Sequence, residues 1–285
     1  MPPTARVALE TTLLLHGVPR GEALTLAAEL AAIVHKQGAT PALVGVLRGQ
    51  PVVGMSDAQL RDLLVEVDVP KLNTASLAVA LARGGNGATT VSTTMELAAG
   101  AGVRVFATGG LGGVHRGLAQ RLDISADLVA FTRFPVAVVT AGCKSLLDVV
   151  NTREMLETLG VPVIGFRTDR FPAFYTRDGG VGVDARFDDA AELAKYLDRE
   201  LNRTARGVVV CNPIPEADEI DAVKFDAWLK QAETEAAAGR ASGRGITPAV
   251  LGALHRLSGG ATLRANISLV KHNVEVAAEL AVKMA

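Results

Sequence analysis

"FPVAVVTAGCKSLLDVVNTREMLETLG", residues 134–160, decides the fold. Its first half, centred on VAVV, is a short apolar run rich in β-branched residues and reads as a buried strand. Small residues follow, TAGC, and then Lys144. From Ser145 the pattern changes: SLLDVVNTREMLETL repeats apolar residues at three and four, which predicts a helix running to a stop at Gly160. Strand, tight turn and helix form the repeating unit of a parallel sheet. Lysine is mostly a surface residue, so an amine between a buried strand and a helix start asks for a reason.

The same alternation extends along the chain. Strands are predicted at RVALETTLL (6–14), PALVGVLRGQPVVG (41–54), VRVFATGG (103–110), VPVIGFRT (161–168) and RGVVVCNP (206–213). Helical periodicity fills 21–38, 56–66, 74–85, 91–102 and 189–201, with Ser56 as an N-cap. This is an α/β chain with right-handed crossovers and a mostly parallel central sheet covered on both faces. From Asp221 onward only helices are expected, packed onto the α/β body. No internal repeat, linker or composition break divides the chain, so 1–285 reads as a single domain. The stretch TDRFPAFYTRDGGVGVDARF, 168–187, is long and irregular, as lids and binding loops often are.

Bulk properties exclude several classes. The chain has 285 residues, 49% of them apolar, with a formal net charge of −1. A binder of nucleic acid would be clearly basic. The opening MPPTARVALETTLLL is too short and too acidic for a signal peptide, and no run reaches a membrane span. Two cysteines, Cys143 and Cys211, suit a reducing cytoplasm rather than a disulfide framework. Abundant alanine, valine and arginine, with little lysine, point to a GC-rich genome.

Ligands of α/β sheets bind beyond the carboxyl ends of the strands. Polar and glycine-rich segments fall there: ALETT with Glu10, PKLNT with Lys71, GGNGATTVSTTM (84–95), ATGGLGGVHRG with His115, RLDISADL with Asp123 and Asp127, and AGCKS with Lys144. At a helix N-terminus an ammonium is disfavoured, and burial adds to this. Both effects favour the neutral amine that a Schiff-base nucleophile needs. The plain alternative is a lysine reaching out of its turn into solvent. Glu10, flanked by apolar residues, is costly to bury as a carboxylate, which suits it to proton transfer. Its alternative is a strand-end glutamate paired with Lys71 or an arginine. The 84–95 stretch offers backbone N–H groups and hydroxyls at a helix start, an anion site. It is no Walker loop, ATGGLGGVHRG lacks G-x-G-x-x-G, and no zinc spacing occurs. Asp123 and Asp127 share one helical face if their helix starts early. They then offer hard oxygens for Mg²⁺ or Mn²⁺, or else cap the helix.

The stretches GATTVSTTM, VFATGGLGGVHRG, DISADL, AGCKSLLDVVNTREMLETLGVPVIGFRT, FPAFY and NPIPE together resemble the pseudouridine-5'-phosphate glycosidases, from about Ala8 to the C-terminus. The resemblance implies a three-layer αβα fold, a homotrimer and Mn²⁺ (or Mg²⁺) near the substrate. It implies reversible cleavage of a C–C glycosidic bond, giving uracil and ribose 5-phosphate. It places the lysine nucleophile on Lys144, the acid/base glutamate on Glu10 and the metal-binding aspartate on Asp123. Substrate contacts fall on Lys71, Thr90, Val91, His115, Ser125, Ala126 and Asp127, with Asn266 of ANISL near the aglycone. One departure stands out. Where members usually carry Arg followed by Asp or Glu, this chain has Ala75 and Ser76. If that pair shapes the aglycone side, its loss favours a larger, less polar acceptor. An alnumycin-type branch of the family attaches ribose 5-phosphate to an aromatic polyketide. On this reading the expected activity is C-glycosidic bond formation to an aromatic acceptor, with uracil release as the alternative.

Overall fold

The computed structural model describes residues 5–118, 122–238 and 246–285. Residues 1–4, which open the segment judged against a signal peptide, lie outside the described residues. The strands are β1 (Arg6–Glu10), β2 (Thr40–Leu47), β3 (Gln50–Val53), β4 (Lys71–Leu72), β5 (Gly87–Thr89) and β6 (Val105–Ala107). They continue with β7 (Val114–His115), β8 (Ala137–Thr140), β9 (Leu147–Asp148), β10 (Val163–Phe166), β11 (Ala185–Phe187) and β12 (Val208–Cys211). The helices are α1 (Thr11–His16), α2 (Arg20–Lys36), α3 (Asp57–Val65), α4 (Thr74–Ala82), α5 (Val91–Gly100) and α6 (Ala126–Ala130). They continue with α7 (Val149–Thr158), α8 (Ala190–Thr204), α9 (Ala222–Ala238), α10 (Ile246–Leu257) and α11 (Ala261–Lys283).

Among the described residues one sheet runs in the order β11-β10-β12-β8-β6-β1-β2-β5-β4, with β3 on β2. From β11 to β2 every pairing is parallel; β2 meets both β3 and β5 antiparallel, and β4 pairs parallel with β5. Strand residues alternate between two apolar layers, as the pleat requires. Val7, Leu9, Val105, Ala107, Val139 and Val210 pack with α2, α3, α8 and α11. Ala8, Val44, Phe106, Val138 and Val209 pack with α5, α6 and α7. The central strands are buried on both faces, which is why they read as continuous apolar runs. The fold is the expected α/β sandwich, with helices the only regular elements after Asp221 among the described residues.

The structure corrects several boundaries. RVALETTLL is not one strand: β1 ends at Glu10 and α1 begins at Thr11. The 41–54 strand is a hairpin, turned by Arg48 and Gly49 at φ 51° and 72°, the left-handed pair a tight hairpin needs. The 145–160 helix starts only at Val149. The 168–187 stretch is not a lid. Phe171, Phe174 and Tyr175 are buried, and its end forms edge strand β11.

Candidate active site

The site is built at the carboxyl ends of the central strands. Leu9 of β1 pairs with Ala107 of β6, and Ala107 pairs with Val139 of β8. One residue further along each strand come Glu10, Thr108 and Thr140, side by side. Glu10 is buried, at 6% exposure. The Thr108 hydroxyl donates a hydrogen bond to its Oε1. Burial pushes the Glu10 pKa above the ordinary carboxylate range. The charge of Lys144, the Thr108 hydrogen bond and Lys71 oppose this, and Asp127 adds to it. A carboxyl so placed holds its proton more readily than a surface glutamate.

Lys144 follows β8, with its side chain exposed. The helix after it begins at Val149, capped by Asp148, whose carboxylate accepts the Asn151 N–H at 3.0 Å. Helix-end electrostatics fade within the first turn, so the dipole argument for Lys144 does not apply. A platform of turns holds the residue instead. Its N–H donates to the Leu111 carbonyl at 3.1 Å, and its carbonyl accepts the Leu147 N–H at 2.9 Å. Leu147 and Asp148 then pair with Val114 and His115 as a two-stranded ribbon. Gly142, at φ 80°, lets the chain pass the 172–174 segment; a Cβ there would stand 1.7 Å from the Pro172 oxygen. Cys143, next to Lys144, is no rival nucleophile, because burial pushes its thiol up to about 12.

Lys71 lies on edge strand β4. Its side chain reaches solvent but is crowded by protein. That burial lowers its pKa, the charge of Lys144 lowers it further, and Glu10 acts the other way. Two lysines and one buried carboxyl, from β4, the β8 turn and β1, thus influence one another electrostatically.

The remaining sequence-derived residues divide into two groups. In the first, polar groups are committed to the protein. Asp127 is buried, and its two oxygens accept the N–H groups of Ser92 and Gly112, each at 2.9 Å, while Ser125 Oγ accepts its own N–H at 3.2 Å. It staples the start of α5, the glycine loop after β6 and the first turn of α6. Asp123 precedes α6, which starts at Ala126, so the two aspartates do not share a helical face. The Asp123 carbonyl accepts the His115 N–H at 3.0 Å. The hydroxyls of 84–95 are also spent internally: Thr90 and Thr93 both donate to the Leu72 carbonyl, and Thr94 to Thr89. What remains for an anion is the backbone at the start of α5, around Val91, where Asp127 already takes one N–H. The second group is open. Asn266 is buried on α11; its Nδ2 donates to the Gly17 carbonyl at 3.2 Å, and its Oδ1 has no partner.

Among the described residues no three His, Cys, Asp or Glu side chains gather as a metal cage. The donor chemistry nonetheless suits a hard ion held by the half-buried Asp123 with retained waters. Sequence reasoning missed Thr108, Asn212 and Asn273. Thr108 sits inside a motif dominated by glycines. Asn273 lies seven residues after Asn266, which was its one available signal.

The model of the family described as "Indigoidine synthase A like protein" matches residues 3–283. This chain belongs to that family. It is 47% identical over 279 residues to a pseudouridine-5'-phosphate glycosidase of Methylobacterium nodulans, covering 98% of this chain and 83% of that one. It is 46% identical to proteins of the same description from Nocardioides sp., over 96% of this chain and 90% of that one, and Symbiobacterium thermophilum, over 98% and 92%. Two crystal structures share the fold. The indigoidine synthase A-like protein of Thermotoga maritima matches with TM-score 0.90 and 38% identity, over 98% of this chain and 92% of that one. The prealnumycin C-glycosynthase AlnA, in complex with ribulose 5-phosphate, matches with TM-score 0.90 and 36% identity, over 98% and 91%. The family relationship read from the motifs is thereby established.

The Ala75–Ser76 departure has a local explanation. Ser76 Oγ accepts the Asn73 N–H and Asn73 Oδ1 accepts the Ser76 N–H, both at 3.0 Å. This is a capping box at the start of α4, in which Ser76 fills the place an acidic residue ordinarily takes. Ala75 is exposed on the same first turn. Ser76 thus has a structural role of its own at the cap of α4.

Proposed function

We propose that this protein is a pseudouridine-5'-phosphate glycosidase, releasing uracil and ribose 5-phosphate through an imine on Lys144. The observation that carries the proposal is the buried Glu10, bonded by Thr108 and close enough to Lys144 and Lys71 to feel the charge of both. Support also comes from the relatives at 46–47% identity that bear this name. The chain is less similar to the C-glycosynthase AlnA, at 36%.

Glu10, whose pKa burial raises, gives its proton to the ribose ring oxygen as the C1'–O4' bond breaks. The Lys144 amine attacks C1'. The C–C bond to uracil then breaks as the lysine nitrogen donates its electron pair to C1', leaving an iminium; the departing carbon takes a proton. Water hydrolyses the imine, freeing ribose 5-phosphate and the amine. In reverse the same groups make the C–C bond. Lys71 and the start of α5 near Thr90 and Val91 would hold the phosphate, whose remote binding energy positions C1'. His115 and the Ser125–Asp127 backbone would line the sugar. The unpartnered Asn266 Oδ1 suits an N–H donor such as uracil carries. Mn²⁺ or Mg²⁺, held by Asp123 and water, would supply positive charge beside the substrate. A homotrimer in the cytoplasm completes the reading, and light scattering at micromolar concentration tests the trimer. No helix among the described residues is long and apolar enough to cross a membrane.

The decisive experiment combines the protein with pseudouridine 5'-phosphate, and separately with ribose 5-phosphate plus uracil or an aromatic quinone. Borohydride reduction and peptide mass analysis locate any adduct. The expected result is uracil release and an adduct on Lys144. An adduct on Lys71 alone, or none, overturns the chemistry. Quinone coupling without uracil release hands the case to the C-glycosynthase reading.

A further inference from the structure

Asn273 is fully buried on the apolar face of α11, beside Val270, Val274 and Ala277. A carboxamide there is costly unless its donors and acceptor are met. They are met by a continuous chain. Asn212 Nδ2 donates to Asn273 Oδ1 at 3.0 Å, and Asn273 Nδ2 donates to the Thr108 carbonyl at 2.8 Å and the Gly109 carbonyl at 3.4 Å. The Asn212 N–H donates to the Thr140 carbonyl at 2.9 Å. The two carboxamides thus tie the ends of β6 and β12 to α11, and the Asn212 backbone joins the end of β8 to them. Thr108 is the residue whose hydroxyl holds Glu10. Asn266, two helical turns from Asn273 and on the same stripe, donates to the carbonyl of Gly17 at the end of α1. Glu10 is the residue that opens α1. Helix α11 therefore grips both flanks of Glu10 through side-chain amides.

We propose that the buried Asn212–Asn273 pair positions Glu10 through Thr108, making Asn273 a positioning residue for the acid. The inference rests on the reading of Glu10 as the proton donor. A leucine of similar volume would fill the site if packing were its whole purpose. The distinction is measurable, because Glu10 is faced by Lys144, Lys71 and Asp127 as well as by the Thr108 hydroxyl. Of these groups only the hydroxyl belongs to a residue whose backbone Asn273 bonds. A hydrogen bond to the charged carboxylate favours ionisation, so slackening Thr108 makes Glu10 harder to ionise.

The experiment compares Asn273→Leu, Asn273→Ala and Glu10→Gln with the wild-type protein, measuring kcat and KM for pseudouridine 5'-phosphate cleavage against pH, together with Tm. In both Asn273 variants kcat should fall about tenfold, with KM unchanged within about twofold, as expected for one lost positioning bond. The descending limb of the pH profile should move to higher pH. A fall in Tm with kcat and the pH profile unchanged overturns the inference and leaves Asn273 as a structural amide. If the leucine variant does not fold, the alanine variant decides, because a water can replace the carboxamide there. If Glu10→Gln keeps full activity, the reading of Glu10 fails instead, and the two failures are told apart.

Discussion

Gly142→Ala should damage the site more than any other single methyl group, and Gly38→Ala is its control. Both glycines have left-handed backbones, at φ 80° and 85°. That conformation costs an alanine roughly 1–2 kcal/mol. At Gly38 nothing lies within 4 Å of the new Cβ, so strain is the whole cost. At Gly142 the Cβ would stand 1.7 Å from the Pro172 oxygen and 2.6 Å from its carbon. Backbone must open by more than about 1 Å, in a close-packed interior that does not yield easily. The segment that must move makes two hydrogen bonds to the nucleophile's surroundings. Phe174 N–H donates to the Ala141 carbonyl at 2.8 Å, and Ser145 Oγ to the Ala173 carbonyl at 2.6 Å. Losing both adds about 2 kcal/mol. Gly142→Ala should therefore cost about 3–4 kcal/mol against 1–2 for Gly38→Ala. A shift of about 1 Å in the turn bearing Lys144 should also slow imine formation on the order of a hundredfold. Urea denaturation and borohydride trapping at saturating ribose 5-phosphate read the two effects. Equal stabilities for the two variants, together with trapping at the wild-type rate in Gly142→Ala, would refute the reasoning.

Lys144→Ala should abolish trapping and lower kcat by several orders of magnitude with little change in Tm, because its side chain is exposed; activity assays and calorimetry check both. Glu10 has a folded-state pKa above its unfolded one, so its contribution to stability is complete below the unfolded value and is lost as pH rises through the folded one. Glu10→Gln should therefore gain stability over wild type at pH 8 and lose that advantage near pH 4, while cleavage is lost throughout; urea titrations at the two pH values measure it. Chelation should reduce activity without unfolding the chain, and Asp123→Asn should weaken Mn²⁺ binding in a calorimetric titration; unchanged affinity would place the ion elsewhere.

What the sequence determined by itself was everything that depends on local period and composition. Strands β1, β6, β8, β10 and β12 announce themselves as short apolar runs because both their faces are covered. The helices of both layers repeat at three and four, and Ser56 caps α3 as its position implies. The family motifs, and with them Glu10, Lys71 and Lys144, stand in plain order along the chain. Tertiary structure decided the rest, where distant segments overrule local preference. SLLD looks helical, yet Leu147 and Asp148 are drawn into a ribbon with Val114 and His115, which delays the helix and takes its dipole away from Lys144. TTLLL looks like more strand, yet the chain turns into α1 as soon as Glu10 reaches the carboxyl end of β1. The irregular 168–187 stretch looks like a lid or binding loop, yet its Phe171, Phe174 and Tyr175 are buried in the core. Asn212 carries no periodic signal at all, and Asn273 only its seven-residue spacing from Asn266. Their meaning exists only once α11 crosses the ends of β6, β8 and β12, because a hydrogen bond between distant residues is a property of distance in space and leaves no period in the chain.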